Sequence, residues 1–196
     1  MLPSHTVMAL ITALIVFLEW GSTRLLSNFA ARKLCHAGCG AGIMLLDSAS
    51  LECRLFVWAV AGSSIAMTWG VSPLPSFRFS SPRDVGVTVY LCLVSAWFFL
   101  QLPAPILAPL FFADPAGAVV GKWCSRNLPW NPRVYEQKTF CGSLAVLLLT
   151  LATISYPCSL TARVLIAVCA TVAEAVGGQY DNLAIAVVVL LGWRFV

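Results

Sequence analysis

Apolar residues fall in long uninterrupted stretches rather than in alternation with polar ones. Runs at 6–20, 54–69, 85–102, 103–121, 140–156, 160–175 and 182–196 recur with short polar breaks between them, and a weaker run at 34–46 is rich in Gly and Ala. One soluble core has no room for so much apolar surface. The pattern predicts an all-α, polytopic integral membrane protein, a bundle of seven to eight transmembrane helices forming a single domain over 1–196 with no soluble part. Several runs are shorter than the ~20 residues of an untilted span, so tilt, broken helices or bilayer thinning must make up the difference. The N-terminal MLPSHTVMALITALIVFLEW lacks a basic leader, and its next cation, Arg24, lies after the apolar run. It reads as the first span rather than as a secretory signal.

Composition agrees with the pattern. Apolar residues make up 60% and charged residues 10% of the chain, against roughly 25% charged in an average soluble domain, and the mean hydropathy is +0.88. Charge then orients the bundle. If the spans alternate, segments 21–33, 70–84, 122–138 and 176–181 share one face, and they carry nine of the twelve cations: Arg24, Arg32, Lys33, Arg78, Arg83, Lys122, Arg126, Arg133 and Lys138. Arg54, Arg163 and Arg194 belong to the other face or its helix ends. The positive-inside rule makes the cation-rich face cytoplasmic. Glu19, Asp114, Glu136, Glu174 and Asp181 gather there too, with Asp84 nearby, whereas Asp47 and Glu52 lie across. Acids mixed with lysines and arginines suit an anionic ligand that also needs a cation, such as a nucleotide with Mg2+. Solvated loops or lipid headgroup contacts give the same composition. Eight cysteines are scattered with no CxxC pair, and the CHxxC at 35–39 has no second pair to complete a metal set, which leaves close helix packing as the plainer account.

Four stretches carry candidate chemistry. In LFFADPAGAVVGKW, residues 110–123, Asp114 before Pro115 fits a helix start, with aspartate as N-cap and proline at the first helical position. That divides the run 103–123 in two and puts Gly117 and Gly121 on one face, where backbone or a bound phosphate approaches closely; a kinked helix packed through its glycines is the alternative. In EQKTFCGSLAV, residues 136–146, Lys138 sits at the membrane edge before a first turn containing Gly142 and Ser143. An ammonium, backbone donors and a hydroxyl there suit phosphate oxygens, and a snorkelling lysine explains Lys138 equally well. In TVAEAVGGQYDNLAIAV, residues 171–187, Glu174 lies inside the end of one apolar helix, Gly177 and Gly178 form a tight turn, and Asp181 or Asn182 opens the next helix, most simply as a cap. Glu174 is not at a cap position, so it reads as a metal ligand, proton acceptor or partner of a buried cation. In ARKLCHAGCGAG, residues 31–42, Arg32 and His36 share a helix face at i, i+4, either packing or holding a phosphate beside Lys33.

In order and approximate spacing these motifs resemble one family. RKxxHxxxG at Arg32, Lys33, His36 and Gly40, DxxxxxxG at Asp114 and Gly121, KxxxGS at Lys138, Gly142 and Ser143, and ExxxxxxDN at Glu174, Asp181 and Asn182 are similar to the membrane-embedded, CTP-dependent lipid kinases. These are the phytol and farnesol kinases, dolichol kinase and the CTP-using diacylglycerol kinase, and the resemblance runs from about residue 19 to the end. It implies phosphoryl transfer from CTP to a lipid hydroxyl, with the nucleotide at the segments beginning at Asp114 and Lys138. The family usually has alanine at the position of Gly117. Gln137 and Cys141 look more like the phytol or diacylglycerol enzymes than dolichol kinase, and Tyr180 replaces a first aspartate before Asp181.

Phosphoryl transfer calls for positioning and charge neutralisation: cations on the phosphates and carboxylates on Mg2+. On that basis Asp114 and Asp181 are expected to hold Mg2+, Glu174 to hold the metal or orient the acceptor hydroxyl, and Lys138, Arg32 and Lys33 to bind phosphates. Gly117, Gly121, Lys122, Gly142, Ser143 and Asn182 complete the expected nucleotide site, with His36 at a phosphate or in proton transfer. The expected partners are a nucleoside triphosphate, a lipid alcohol and membrane lipids, with no nucleic acid, in the endoplasmic reticulum, a plastid or a bacterial inner membrane. A cytidylyltransferase acting on a lipid phosphate and a small transporter whose acids move protons or cations are the rival readings.

Overall fold

A computed structural model of the protein describes residues 2–195. Among them are eight α-helices, one for each apolar run: α1 Ser4–Val16, α2 Asn28–Ile43, α3 Leu51–Thr68, α4 Val85–Phe99, α5 Ala108–Asn127, α6 Phe140–Thr153, α7 Leu160–Val176 and α8 Asp181–Phe195. The helical class therefore matches the expectation. A small addition is an antiparallel hairpin, β1 Arg133–Tyr135 with β2 Lys138–Thr139, in which Tyr135 pairs with Lys138 across a turn that puts Glu136 at φ 42°.

Hydroxyl and carboxylate caps start four of the helices. Ser27, Asp84, Thr139 and Ser159 accept hydrogen bonds from the amides of Ala30, Val87, Gly142 and Ala162 at the starts of α2, α4, α6 and α7, satisfying backbone donors that have no intrahelical partner. Asp114 is not among them. The expected break at Asp114–Pro115 lies instead at Leu107, where a short 3-10 turn, Ala104–Leu107, meets α5 with Pro109 in its first turn. Proline fits that first turn because its missing amide would have had no partner there. Asp114 and Pro115 sit in the helix interior. Pro115 withholds an amide from the carbonyl four residues back, yet the helix continues through it, with Leu110, Phe111 and Ala113 completely buried around it.

The chain packs as two compact units, Met1–Ala104 and Pro105–Val196. In the first, α1 packs on α2 and α3 on α4. The chain leaves α1 through a π-helical turn, Phe17–Gly21, and Arg78 ties this turn to its surroundings. The Arg78 side chain donates to the carbonyls of Leu18 and Leu26, to Asn28 Oδ1 and to Ser22 Oγ, while its backbone amide donates to the Glu19 carboxylate.

In the second unit α5 and α6 make the most extensive contact, and α8 packs on both α5 and α7. Glycines set the α5–α6 spacing. A Cβ on Gly142 would stand 2.8 Å from the Gly117 carbonyl oxygen, and one on Gly121 would stand 3.4 Å from Gly142 Cα. The unit buries polar side chains within an apolar core and leaves apolar ones outside: Asp114, Thr150, Glu174 and Asn182 are buried beside Phe111, Val146 and Ile185, whereas Leu148, Leu165, Val172 and Leu191 are at least half exposed. Among the described residues two helical stretches are long and apolar enough to cross a membrane, Ser4–Gly21 and Ala104–Asn127; Val85–Phe99 and Phe140–Thr153 are apolar but shorter.

Candidate functional site

Four segments of the second unit meet at one place. Asp114 comes from the middle of α5, Lys138 from β2, Glu174 from the last turn of α7 and Asp181 from the first residue of α8. One carboxylate oxygen from each of Asp114, Glu174 and Asp181 lies within 4.8 Å of the others. Lys138 Nζ forms an ion pair with Glu174 and lies 3.3 Å from Asp181 Oδ2. Burial makes this arrangement costly: Asp114 and Glu174 are 4% and 3% exposed, and a buried carboxylate needs a compensating charge. The Lys138 ammonium meets two of the three carboxylates. Burial pulls the Lys138 ammonium down, but the Glu174 and Asp181 carboxylates outweigh it and hold its pKa above the ordinary lysine value. Lys138 is therefore a cation at neutral pH.

Local folding explains why the acids converge. Gly178 adopts φ +56°, a left-handed conformation that favours glycine, and so turns the chain from α7 into α8 within a few residues. At Gly177 a Cβ would lie 2.7 Å from Asp181 Cα. The pair thus brings Asp181 close under Glu174.

Beside the acids opens a cleft of about 460 Å³ whose walls include Gly117, Gly121, Lys122, Lys138, Gly142, Ser143 and Glu174, all expected from the sequence. Ser125, Arg126, Gln137 and Thr139 line it too and were not expected as site residues. Arg126 follows Lys122 by four residues, as Ser125 follows Gly121, so helical spacing was the signal that marks them. Asn131 has no such signal. It donates to the Gly121 carbonyl and Ser125 Oγ and accepts from the Cys141 amide, fastening the hairpin to α5 and α6. Gly117, Gly121 and Gly142 serve the α5–α6 contact first, and the cleft runs along the seam they create. Ser143 Oγ and Asn182 Oδ1 are buried and have no hydrogen-bond partner.

Arg32, Lys33 and His36 lie on α2, in the first unit. There Arg32 makes a two-pronged pair with Asp84, at 2.5 and 3.1 Å, and His36 packs on the Tyr90 ring with centroids 4.3 Å apart. Burial raises the Asp84 pKa, but the Arg32 guanidinium and the amides of Val87 and Ser81 more than offset it and hold the carboxyl below its usual range. These contacts join Arg32 and His36 on α2 to the cap and the second turn of α4.

The three acids suit a hard divalent cation. Octahedral Mg2+ with oxygens at about 2.0–2.1 Å spaces those oxygens roughly 3 to 4 Å apart, close to the 4.8 Å limit of the cluster. All-oxygen donors, with room on the cleft side for water or phosphate, match its preference. Comparison of the chain with family models, with curated proteins and with solved structures finds no match.

Proposed function

We propose that the protein is a multi-pass membrane kinase that transfers the γ-phosphate of CTP, or of another nucleoside triphosphate, to the hydroxyl of an isoprenoid alcohol or diacylglycerol. One observation carries this reading: Asp114, Glu174 and Asp181 meet Lys138 at the edge of a cleft lined by Lys122 and Arg126. Carboxylates for a metal beside cations for a polyphosphate are what phosphoryl transfer demands, since its catalysis is mostly positioning and charge neutralisation. The order of the motifs along the chain, which resembles the CTP-dependent lipid kinases, supports the same reading.

In this scheme Asp114 and Asp181 hold Mg2+, which when bound neutralises and orients the β- and γ-phosphates. Lys122, Arg126 and Lys138 take the remaining phosphate charge, and Ser143 Oγ with the first turn of α6 supplies donors to phosphate oxygens. Glu174 orients the acceptor hydroxyl and takes its proton as the hydroxyl oxygen bonds to the γ-phosphorus. The bond from that phosphorus to the β–γ bridging oxygen breaks, and the nucleoside diphosphate leaves. The exposed apolar sides of α6, α7 and α8 favour a bilayer setting, in which the acceptor tail stays in lipid while its alcohol reaches the interface. In this reading the site faces the cytoplasm from an endoplasmic reticulum, plastid or bacterial inner membrane, which the cation-rich connections favour.

The test is incubation of the purified protein with phytol, farnesol, dolichol and diacylglycerol against CTP and ATP labelled at the γ- or the α-phosphate. Lipid labelled from the γ position supports the kinase. Label from the α position replaces it with cytidylyl transfer, and no labelled lipid from any pairing ends both.

A further inference from the structure

We infer that Lys138 is a tethered substitute for the divalent cation, resting in the carboxylate centre while the metal is absent and moving to a nucleotide phosphate when it arrives. The inference rests on the kinase reading for its nucleotide and on the geometry for the exchange. The Lys138 ammonium contacts two of the three carboxylates whose oxygens converge, Glu174 and Asp181. A metal held by Asp114 and Asp181 at this convergence would crowd the space in which that ammonium makes its hydrogen bonds. The two cations therefore compete for one place.

Two buried oxygens lack a hydrogen-bond partner: Oδ1 of Asn182, the residue after Asp181 and 7% exposed, and Ser143 Oγ, on a residue in the wall of the cleft. Buried polar atoms of this kind are uncommon unless something fills them. Lys138 also has somewhere to go. Its side chain is 27% exposed and already borders the cleft, where Lys122 and Arg126 stand. Moving a third cation there is unfavourable while the cleft is empty and favourable once a polyphosphate lies in it. Metal and nucleotide are then coupled: each makes room or charge for the other. A site with this arrangement keeps its acids compensated between turnovers and admits metal tightly only together with nucleotide.

Mn2+ binding followed by electron paramagnetic resonance on the full-length protein, without nucleotide, tests the exchange. Lys138→Gln, which removes the competitor, is expected to bind Mn2+ at least about tenfold more tightly than the wild type, within the usual range of coupling between sites; Lys138→Arg, which keeps a cation, should stay weak. Equal or weaker Mn2+ binding by Lys138→Gln overturns the inference. The lipid-labelling assay separates the two readings: active wild type without the exchange leaves the kinase standing, and the exchange without labelled lipid leaves the cation site standing without it.

Discussion

Single residues divide into those that hold the fold and those whose burial makes sense only with a ligand. Arg78 belongs to the first group, since its fork satisfies one carbonyl within the π-helical turn and another just before α2. Lysine cannot reproduce that fork, so Arg78→Lys is expected to destabilise the first unit by about 2 kcal/mol or more, measurable by denaturant unfolding in detergent. Asp84 is similar but depends on pH. Its folded pKa is lowered, so its contribution is present above the unfolded value of about 3.9 and is lost as pH falls through the folded one. The stability difference between wild type and Asp84→Asn should therefore be largest near neutral pH and shrink below about pH 4. Asp114 is in the second group. It lies inside a helix, is nearly inaccessible and has a carboxylate oxygen close to those of Glu174 and Asp181. Asp114→Asn should cut lipid phosphorylation by about 100-fold or more with little change in the unfolding midpoint. A variant that loses both together would show that Asp114 is structural.

At the scale of elements, the α5–α6 pair is the frame of the site, and its glycines can be tested against one that frames nothing. Gly142→Ala drives a Cβ toward the Gly117 backbone carbonyl, which cannot swing away as a side chain would, so a cost of about 1–3 kcal/mol is expected from overpacking. Gly62, in the middle of α3, has nothing within 4 Å of its missing Cβ. Gly62→Ala should stabilise by about 0.5–1 kcal/mol through helix propensity alone. Unfolding midpoints of the two variants measured together check both signs. The same pair shows what the sequence could reveal. Long apolar runs located all eight helices, because apolar length is a local property. The start of α5 was misread at Asp114 because Pro109 and Pro115 offer equally good local signals, and only the packing around Phe111 and Ala113 decides between them. The acids and Lys138 were visible as polar residues in apolar surroundings, and their meeting depends on the Gly177–Gly178 turn that the sequence also displays. The pairing of Arg32 with Asp84 was not visible, since the two are 52 residues apart and no period links them. Asn131 was missed for the same reason.

At the scale of the whole molecule, the distribution of polarity is the question a bilayer would answer. Carboxylates, an amide and hydroxyls buried within the apolar core of the second unit, together with exposed leucines and valines on α6, α7 and α8, depart from the usual order of a protein in water. Apolar surface of that extent in water would drive association, whereas in lipid it costs nothing to leave uncovered. Two cysteines separate these settings because they are exposed and lie within apolar helices, Cys92 on α4 and Cys169 on α7. In native membranes a charged, impermeant maleimide should fail to label either one, while a small lipophilic thiol reagent or prior detergent solubilisation makes both reactive, as counted by peptide mass spectrometry. A thiol surrounded by hydrocarbon is denied both the reagent and the water needed to form a thiolate. Cys158, partly exposed in the connection between α6 and α7, provides the comparison on the same protein. Rapid impermeant labelling of Cys92 and Cys169 in intact membranes would place those helix faces in water, and the lipid-alcohol reading would lose the surface through which its substrate is proposed to arrive.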